Sequence, residues 1–319
     1  MSGSRVGSAM ATRVCDIQGR RLMLTHLDEV VWPEEPAITK DELLEYYTGV
    51  ADHLLPFIAN RPLSLQRTAD PMTGECLYQK TAPAGLPAWI PTRRLRSEHA
   101  ALGYADYVIG ADLPSLLYLL NLGHIAVHPW SCTADAIDRP DQLLFDLDPI
   151  EIAFREVRNA ALLLRDLLRM FKIRAWVKTT GGRGLHVMVP LAPQYSFEQV
   201  RTAAEAITRL ARSREPRLFT LDMRRARRRG KILIDVHRNH RGATLASPYG
   251  AREYPGAPVA TPIEWNELER ALYPEEFHVK NTRERLASVG DPLESFFHHP
   301  QSLDPLLESG RLRRARPMA

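Results

Sequence analysis

The apolar positions of this 319-residue chain change their period along its length, and the changes mark out the elements. From Thr39, the run TKDELLEYYTGVADHLLPFIA repeats apolar residues at helical spacing behind a capping box, Thr39 with Glu42, and predicts a first helix. Residues 61–90 are broken by proline and glycine, with strand-like pieces at LSLQR and CLYQK joined by loops. A short strand at Tyr107 to Ile109 leads into DLPSLLYLLNLG, a helix with Pro114 in its first turn and Gly123 as its stop, and HIAVHPW then returns to extended form. FREVRNAALLLRDLLRMF restores the helical period from Val157 to Phe171. IRAWVKT and LHVMVPL are β-rich runs on either side of Thr180-Gly181-Gly182-Arg183-Gly184, which suggests a hairpin with a glycine-rich turn. Ser196 and Gln199 box the start of the helix FEQVRTAAEAITRLA. KILIDV is a strand of buried type, and Thr261-Pro262-Ile263-Glu264 opens a late helix with proline in its first position. Strands and helices alternate without regular βαβ units, so the fold class is α+β, a mixed sheet with packed helices rather than a doubly wound parallel sheet.

One apolar run breaks its own pattern. In LLFDLDP, residues 143–149, two carboxylates stand one residue apart where charge is expensive to bury. On a strand Asp146 and Asp148 share a face while Leu147 looks away. Like charges held that close repel unless a cation sits between them, and oxygen ligands select hard cations such as magnesium or manganese. The other reading is that Asp148-Pro149 starts a turn or caps the following helix. Asp235, at the end of the apolar stretch Ile232 to Ile234, has the same setting. Three acids at strand ends can hold two metal ions for phosphoryl transfer, although Asp235 alone reads first as a partner for a nearby arginine.

Composition narrows the class. With 45% apolar and 25% charged residues the chain can bury a full core, as one large domain or two small ones. Cys15, Cys76 and Cys132 are far apart and form no zinc pattern, and a reducing cytoplasm is the expectation. No apolar run approaches the length of a membrane span, and MSGSRVGSAMATRV lacks the apolar centre of a signal peptide. The formal charge is only +4, but the basic residues are uneven: RRARRRGK, residues 224–231, has six basic positions of eight. Such a run can hold phosphates or a nucleic-acid backbone, or be only a solvated face. The glycine-rich turn could form a nest of amides for phosphate oxygens with Arg183 as an added donor, though such turns are mostly structural. Arg252 lies beyond the third acid and could reach the same place. His128 and His186, each in an apolar strand, read first as core, as do Tyr78, Trp89 and Trp130 taken singly, although aromatics can stack on bases.

Taken together and in this order, LLFDLDP, KTTGGRGLHV and ILIDVHRN resemble the polymerase domain of bacterial DNA ligase D, a branch of the archaeo-eukaryotic primase superfamily. The similarity runs from about Leu24 to Phe297 and includes THLDEVVWPEEPAITKDELLEYY, NLGHIAVHPW, RPDQLLFDLDP and DPLESFF. The resemblance implies a primase-polymerase fold with a mixed-sheet catalytic core flanked by helices. It implies Asp146, Asp148 and Asp235 as catalytic metal ligands for two Mn2+ or Mg2+ ions. It implies His128, Thr180, Gly182, Arg183, Arg228, Asn239 and Arg252 as nucleotide contacts, and Lys40, Arg67, Tyr78 and Lys80 as DNA contacts, with Tyr78 under the template base. The family often has serine in place of Thr180 and lysine in place of Arg183. Members that grip a 5′-phosphate use two lysines near the N-terminus; Lys40 matches one, but the other position is Glu29, which would repel phosphate.

The expected function is therefore a nucleotidyltransferase adding ribo- or deoxyribonucleotides to a primer 3′-hydroxyl at DNA ends or gaps. Its partners would be DNA, nucleoside triphosphates, Ku and a ligase, in the cytoplasm and without a membrane. No Lys-x-Asp-Gly adenylation motif is present, so no ligase domain is expected. A metal-dependent nuclease, or a non-catalytic module bridging DNA ends, are the competing readings. The expected organisation is a flexible tail over 1–20, a catalytic domain over 21–300 and a second tail over 301–319.

Overall fold

The computed structural model describes residues 11–70, 75–98, 100–270 and 272–308. In chain order the elements are β1 (Arg13–Ile17), β2 (Arg20–Leu24), β3 (Val30–Trp32), β4 (Ile38–Thr39), α1 (Lys40–Gly49), α2 (Ala51–Ile58), β5 (Pro62–Asp70), β6 (Glu75–Gln79), β7 (Thr92–Arg96), β8 (Tyr104–Ile109), α3 (Leu113–Asn121) and β9 (His124–Pro129). There follow β10 (Gln142–Ile150), α4 (Phe154–Met170), β11 (Trp176–Thr179), β12 (Leu185–Pro190), α5 (Phe197–Arg214), β13 (Phe219–Thr220), β14 (Lys231–Asp235), β15 (Pro262–Ile263), α6 (Trp265–Leu268) and α7 (Thr282–Val289). Both expected capping boxes form, at Thr39 with Glu42 and at Ser196 with Gln199.

Two sheets carry the architecture. In one, β5 pairs on one side with β9 and on the other with β6 and β8, and β7 closes the edge. Its core is filled from α1, α2 and α3. The other sheet has the order β13-β14-β10-β12-β11-β15, antiparallel throughout except for the short β13–β14 pair. The helices α4 and α5 cover one of its faces: Leu143, Phe145 and Leu147 of β10 point into that core together with Val187, Ile232 and Ile234. Alternation then sends Leu144, Asp146 and Asp148 to the opposite face. Near the start of β10 that face is apolar too, where Leu144, Met188 and Trp176 pack with Phe57, Leu245 and Phe296. One residue pair further along, the cover ends and charge begins.

Several boundaries differ from those the sequence suggests. Residues 11–20 are not all tail: β1 and β2 form a hairpin whose turn, Gln18-Gly19, has both φ values positive (53° and 77°), the geometry a two-residue turn favours. Leu22 and Leu24 of that hairpin are buried against the first core, while residues 1–10 lie outside the described part. At the other end Leu303 and Leu306 are buried in the second core, so the expected tail is structured to residue 308; residues 309–319 lie outside the described part. The first helix divides at Val50 into α1 and α2. The acidic strand does not stop at its proline, because Pro149 is paired with Ile232 where β10 pairs only with β14, and the strand runs to Ile150. Pro262 starts no helix. It sits on an edge strand, where its missing N–H is tolerated, and α6 begins at Trp265 behind the cap residue Glu264.

Candidate active site

The registers of four strands place one row of side chains across the charged part of the second sheet. Asp235 is paired with Asp146, Asp146 with His186, and His186 with Lys178. Directly opposite residues in an antiparallel pair project to the same face, so two acids, a histidine and a lysine stand side by side. Asp148 is on the same face, one step further along β10. Asp235, Asp146 and His186 of this row form part of a wall of a cleft of about 950 Å3, which Asp148, His128, Thr180, Gly182, Arg183, Arg228, Arg252, Tyr78 and Lys80 also line, while Lys178 is buried behind it. The opposite wall comes from the first sheet, through Ser64, Tyr78, Lys80 and His128.

Each acid has a cationic neighbour. Arg238 brings Nε to 3.3 Å from Asp146 Oδ2 and 3.7 Å from Asp235 Oδ2, and His186 Nε2 lies 3.5 Å from Asp146 Oδ1. Arg228 donates to Asp148 Oδ2 at 2.6 Å, and the His237 amide donates to Asp235 Oδ1 at 2.8 Å. Burial alone would raise the Asp146 carboxyl, but His186 and Arg238 outweigh it and hold it at about 2. Burial lowers His186 to about 4 and Lys178 to about 7; Lys178 pushes His186 further down, and Arg252 does the same to Lys178.

The donor set suits a hard divalent cation: carboxylate oxygens from adjacent strands, with a guanidinium standing in between two of them as a cation. Among the described residues, no three Asp, Glu, His or Cys side chains converge to ligate a metal.

The glycine-rich turn closes the cleft beside this row. Gly184 is pressed so tightly against β10 that an added Cβ would lie 2.3 Å from the Leu147 carbonyl oxygen, and Gly181 takes φ +69°. Thr180 Oγ1 accepts the amides of both Gly182 and Gly184 at 3.2 Å. Those amides therefore brace the turn from inside instead of forming the phosphate nest the sequence suggested, and Arg183 remains exposed at the surface of the cleft. Arg252 Nη1 donates to the Thr180 carbonyl at 2.6 Å and its Nε to Glu253 at 3.1 Å, which fixes its guanidinium beside the turn. On the first-sheet wall, burial depresses His128 to about 3, so the ring is neutral near pH 7; its Nδ1 faces the Leu245 carbonyl and its Nε2 the Gln66 amide at 2.7 Å. Tyr78 stands over it, ring centroids 5.3 Å apart, and is half exposed.

Other expected site residues are placed elsewhere. Asn239 is fully buried and its amide is consumed: Oδ1 accepts the Leu144 N–H, and Nδ2 donates to the Leu144 and Val236 carbonyls. It pins the turn that carries Arg238 and does not reach the cleft. Lys40 is buried against Asn121, and Arg67 is exposed on β5 but does not line the cleft. Much of the basic run is ion-paired with acids outside it, Arg224 and Arg227 with Asp222 and Arg229 with Glu151, while Arg225 and Arg228 turn toward the cleft. Sequence reasoning missed His186 as a site residue, and also Lys178 and Arg238. The signal for the first two was strand parity: both share the sheet face of Asp146, on a hairpin whose neighbour is the acidic strand.

Comparison with known proteins follows the same outline. Residues 39–293 match the family model described as LigD, primase-polymerase domain. The chain is 30% identical over 299 residues to the multifunctional non-homologous end joining protein LigD of Pseudomonas aeruginosa, covering 90% of this chain and 33% of that protein. It is 28% identical over 289 residues to the bifunctional non-homologous end joining protein LigD of Bacillus subtilis, covering 90% and 46%. It thus spans less than half the length of these relatives. Among solved structures, the polymerase domain from Mycobacterium tuberculosis ligase D in complex with DNA superposes with a TM-score of 0.80 at 25% identity, over 88% of this chain and 99% of that one.

Proposed function

The chain belongs to the LigD primase-polymerase domain family, and from that premise we propose that it is a nucleotidyltransferase that extends a primer 3′-hydroxyl at DNA ends or gaps during end-joining repair. The observation that carries the reading is the cross-strand row Asp235–Asp146–His186, with Asp148 on the same face, set beside the glycine-rich turn in one cleft. Asp146, Asp148 and Asp235 would hold two divalent ions, Mn2+ or Mg2+. Such ions lower the pKa of the primer hydroxyl and stabilise charge on the leaving pyrophosphate.

The protein's own residues supply the rest. Arg183 and Arg252, at the turn, present guanidinium groups to the triphosphate, and the bidentate geometry of arginine suits phosphate oxygens. Arg228, released from Asp148, has the same capacity. Neutral His128, held by Leu245 and Gln66, presents its ring edge and not a charge to the nucleotide. Tyr78 offers a half-exposed ring on which a template base can stack, with Lys80 beside it for the backbone. DNA ends, nucleoside triphosphates, Ku and a ligase are the proposed partners, and the cytoplasm the proposed compartment. No helix among the described residues is long and apolar enough to cross a membrane.

The test is primer extension with manganese and either ribo- or deoxyribonucleotides, on the wild type and on Asp148→Ala. Extension by the wild type and its loss by at least about a hundredfold in the variant, with DNA binding retained, supports the reading, since that loss amounts to a few kcal/mol of transition-state stabilisation. Shortening of labelled primer without triphosphates would identify a nuclease instead, and no extension by either protein, with end joining in the full pathway unchanged by Asp148→Ala, an end-bridging module.

A further inference from the structure

We propose that Arg238 is a positioning residue of this site: a tethered counter-cation that holds Asp146 and Asp235 together and that an incoming divalent ion must displace. The inference rests on the reading of those acids as metal ligands. Its basis is geometric. Asp146 and Asp235 face each other across the β10–β14 ladder, and the Arg238 Nε lies 3.3 Å from an oxygen of the first and 3.7 Å from an oxygen of the second. An ion that bridged the same two carboxylates would compete for those oxygens with a guanidinium already there.

The backbone under Arg238 is fixed while its side chain is free to leave. Residues His237–Asn239 form a 3-10 turn directly after β14. The turn is tied down on both sides, by the His237 amide on Asp235 Oδ1 and by the Asn239 side chain on Leu144 and Val236. The Arg238 side chain itself is 47% exposed and lines the cleft, so it can swing outward without disturbing the turn. In the metal-free protein the arrangement relieves repulsion between two carboxylates that are each only 14% exposed. The cost is a competitor inside the site.

The experiment is a manganese titration of the full chain without DNA or nucleotide, with free Mn2+ read by its electron paramagnetic resonance signal. Arg238→Gln should bind Mn2+ about three- to tenfold more tightly than the wild type, the scale expected for removing one half-exposed competing charge. Arg241→Ala is the control. It removes the same charge from a neighbouring residue whose guanidinium pairs with Asp138, and it should change affinity by less than about twofold. Arg238→Lys keeps a counter-cation and should stay near the wild type, and it keeps the comparison open should the glutamine variant fold poorly. Equal effects of Arg238→Gln and Arg241→Ala, or tightening by Arg238→Lys as large as by the glutamine, would overturn the proposal. If Asp235→Asn leaves Mn2+ binding untouched, the metal-site reading falls and the inference with it, a result separable from the others.

Discussion

A lysine whose side chain is taken inside a protein must find an acceptor or give up its proton. Lys40 finds one: its ammonium donates to the Asn121 carbonyl at 2.6 Å, and the residue is only 4% exposed. Burial lowers its pKa, and Glu29 partly offsets this. This geometry leaves no free cation at the position expected to grip a 5′-phosphate, and the companion position is the exposed carboxylate Glu29. Lys40→Met is therefore expected to act on the fold and not on substrate choice. Leaving the Asn121 carbonyl without its donor should cost about 1–3 kcal/mol of stability. The ratio of extension on gaps with and without a 5′-phosphate should stay near one in both wild type and variant. Denaturant unfolding and paired gap-filling assays read the two effects, and a strong 5′-phosphate preference lost in Lys40→Met would refute the assignment.

At the scale of elements, the contact that sets the site is the one between the glycine-rich turn and β10. Gly184 lies against the Leu147 carbonyl, the backbone between the two acids of that strand, so a methyl group there must push the turn and the strand apart. Gly184→Ala should cost about 1–3 kcal/mol through overpacking, and it should also remove most extension activity, because Asp146 and Asp148 flank the displaced peptide. Gly85→Ala is the matched comparison: φ there is +74° with nothing within 4 Å of the added carbon, so only backbone strain of roughly 1 kcal/mol follows and activity should persist. Similar activity in the two variants would show that the turn is not what positions the acids. The contrast also explains what the sequence could disclose. That Asp146 and Asp148 share a face was legible, since alternation operates inside one strand. That Asp235 lies opposite Asp146, and His186 beside it, depends on pairing segments 40 and 89 residues away, and no local pattern encodes that register. Its apolar-strand setting made Asp235 a candidate, first read as an arginine partner, and the resemblance added the metal role; nothing supplied Arg238, whose role exists only once the two acids have met. Asn239 failed in the other direction, because a buried amide stapling a turn and an amide awaiting a nucleotide look the same in a one-letter string.

At the scale of the molecule, the cleft is a joint between two cores, and β9, on its first-sheet side, carries two buried histidines whose protonation the fold resists, His124 and the cleft-lining His128. Burial lowers His124, and it depresses His128 to about 3 from an ordinary value of 6.5. The folded state therefore refuses a proton that the unfolded chain accepts near pH 6.5. Stability from this source is fully present above that pH and is lost as pH falls toward 3. For His128 the loss approaches about 1.4 kcal/mol per pH unit, the worth of one proton taken up on unfolding. Between pH 6.5 and about 5.5 ordinary carboxylates are still almost fully ionised, so the window belongs to the histidines. Thermal melting midpoints should fall steadily across it, and His128→Asn should fall less steeply than the wild type whatever its starting midpoint, because one titrating group has been removed. Parallel slopes for the two proteins would mean that His128 takes up its proton as readily in the folded wall as in the unfolded chain. The neutral ring that the nucleotide site relies on would then not be enforced by burial, and the electrostatic separation of the two cleft walls, uncharged histidine on one side and ionised aspartates on the other, would have to be rebuilt from a different source.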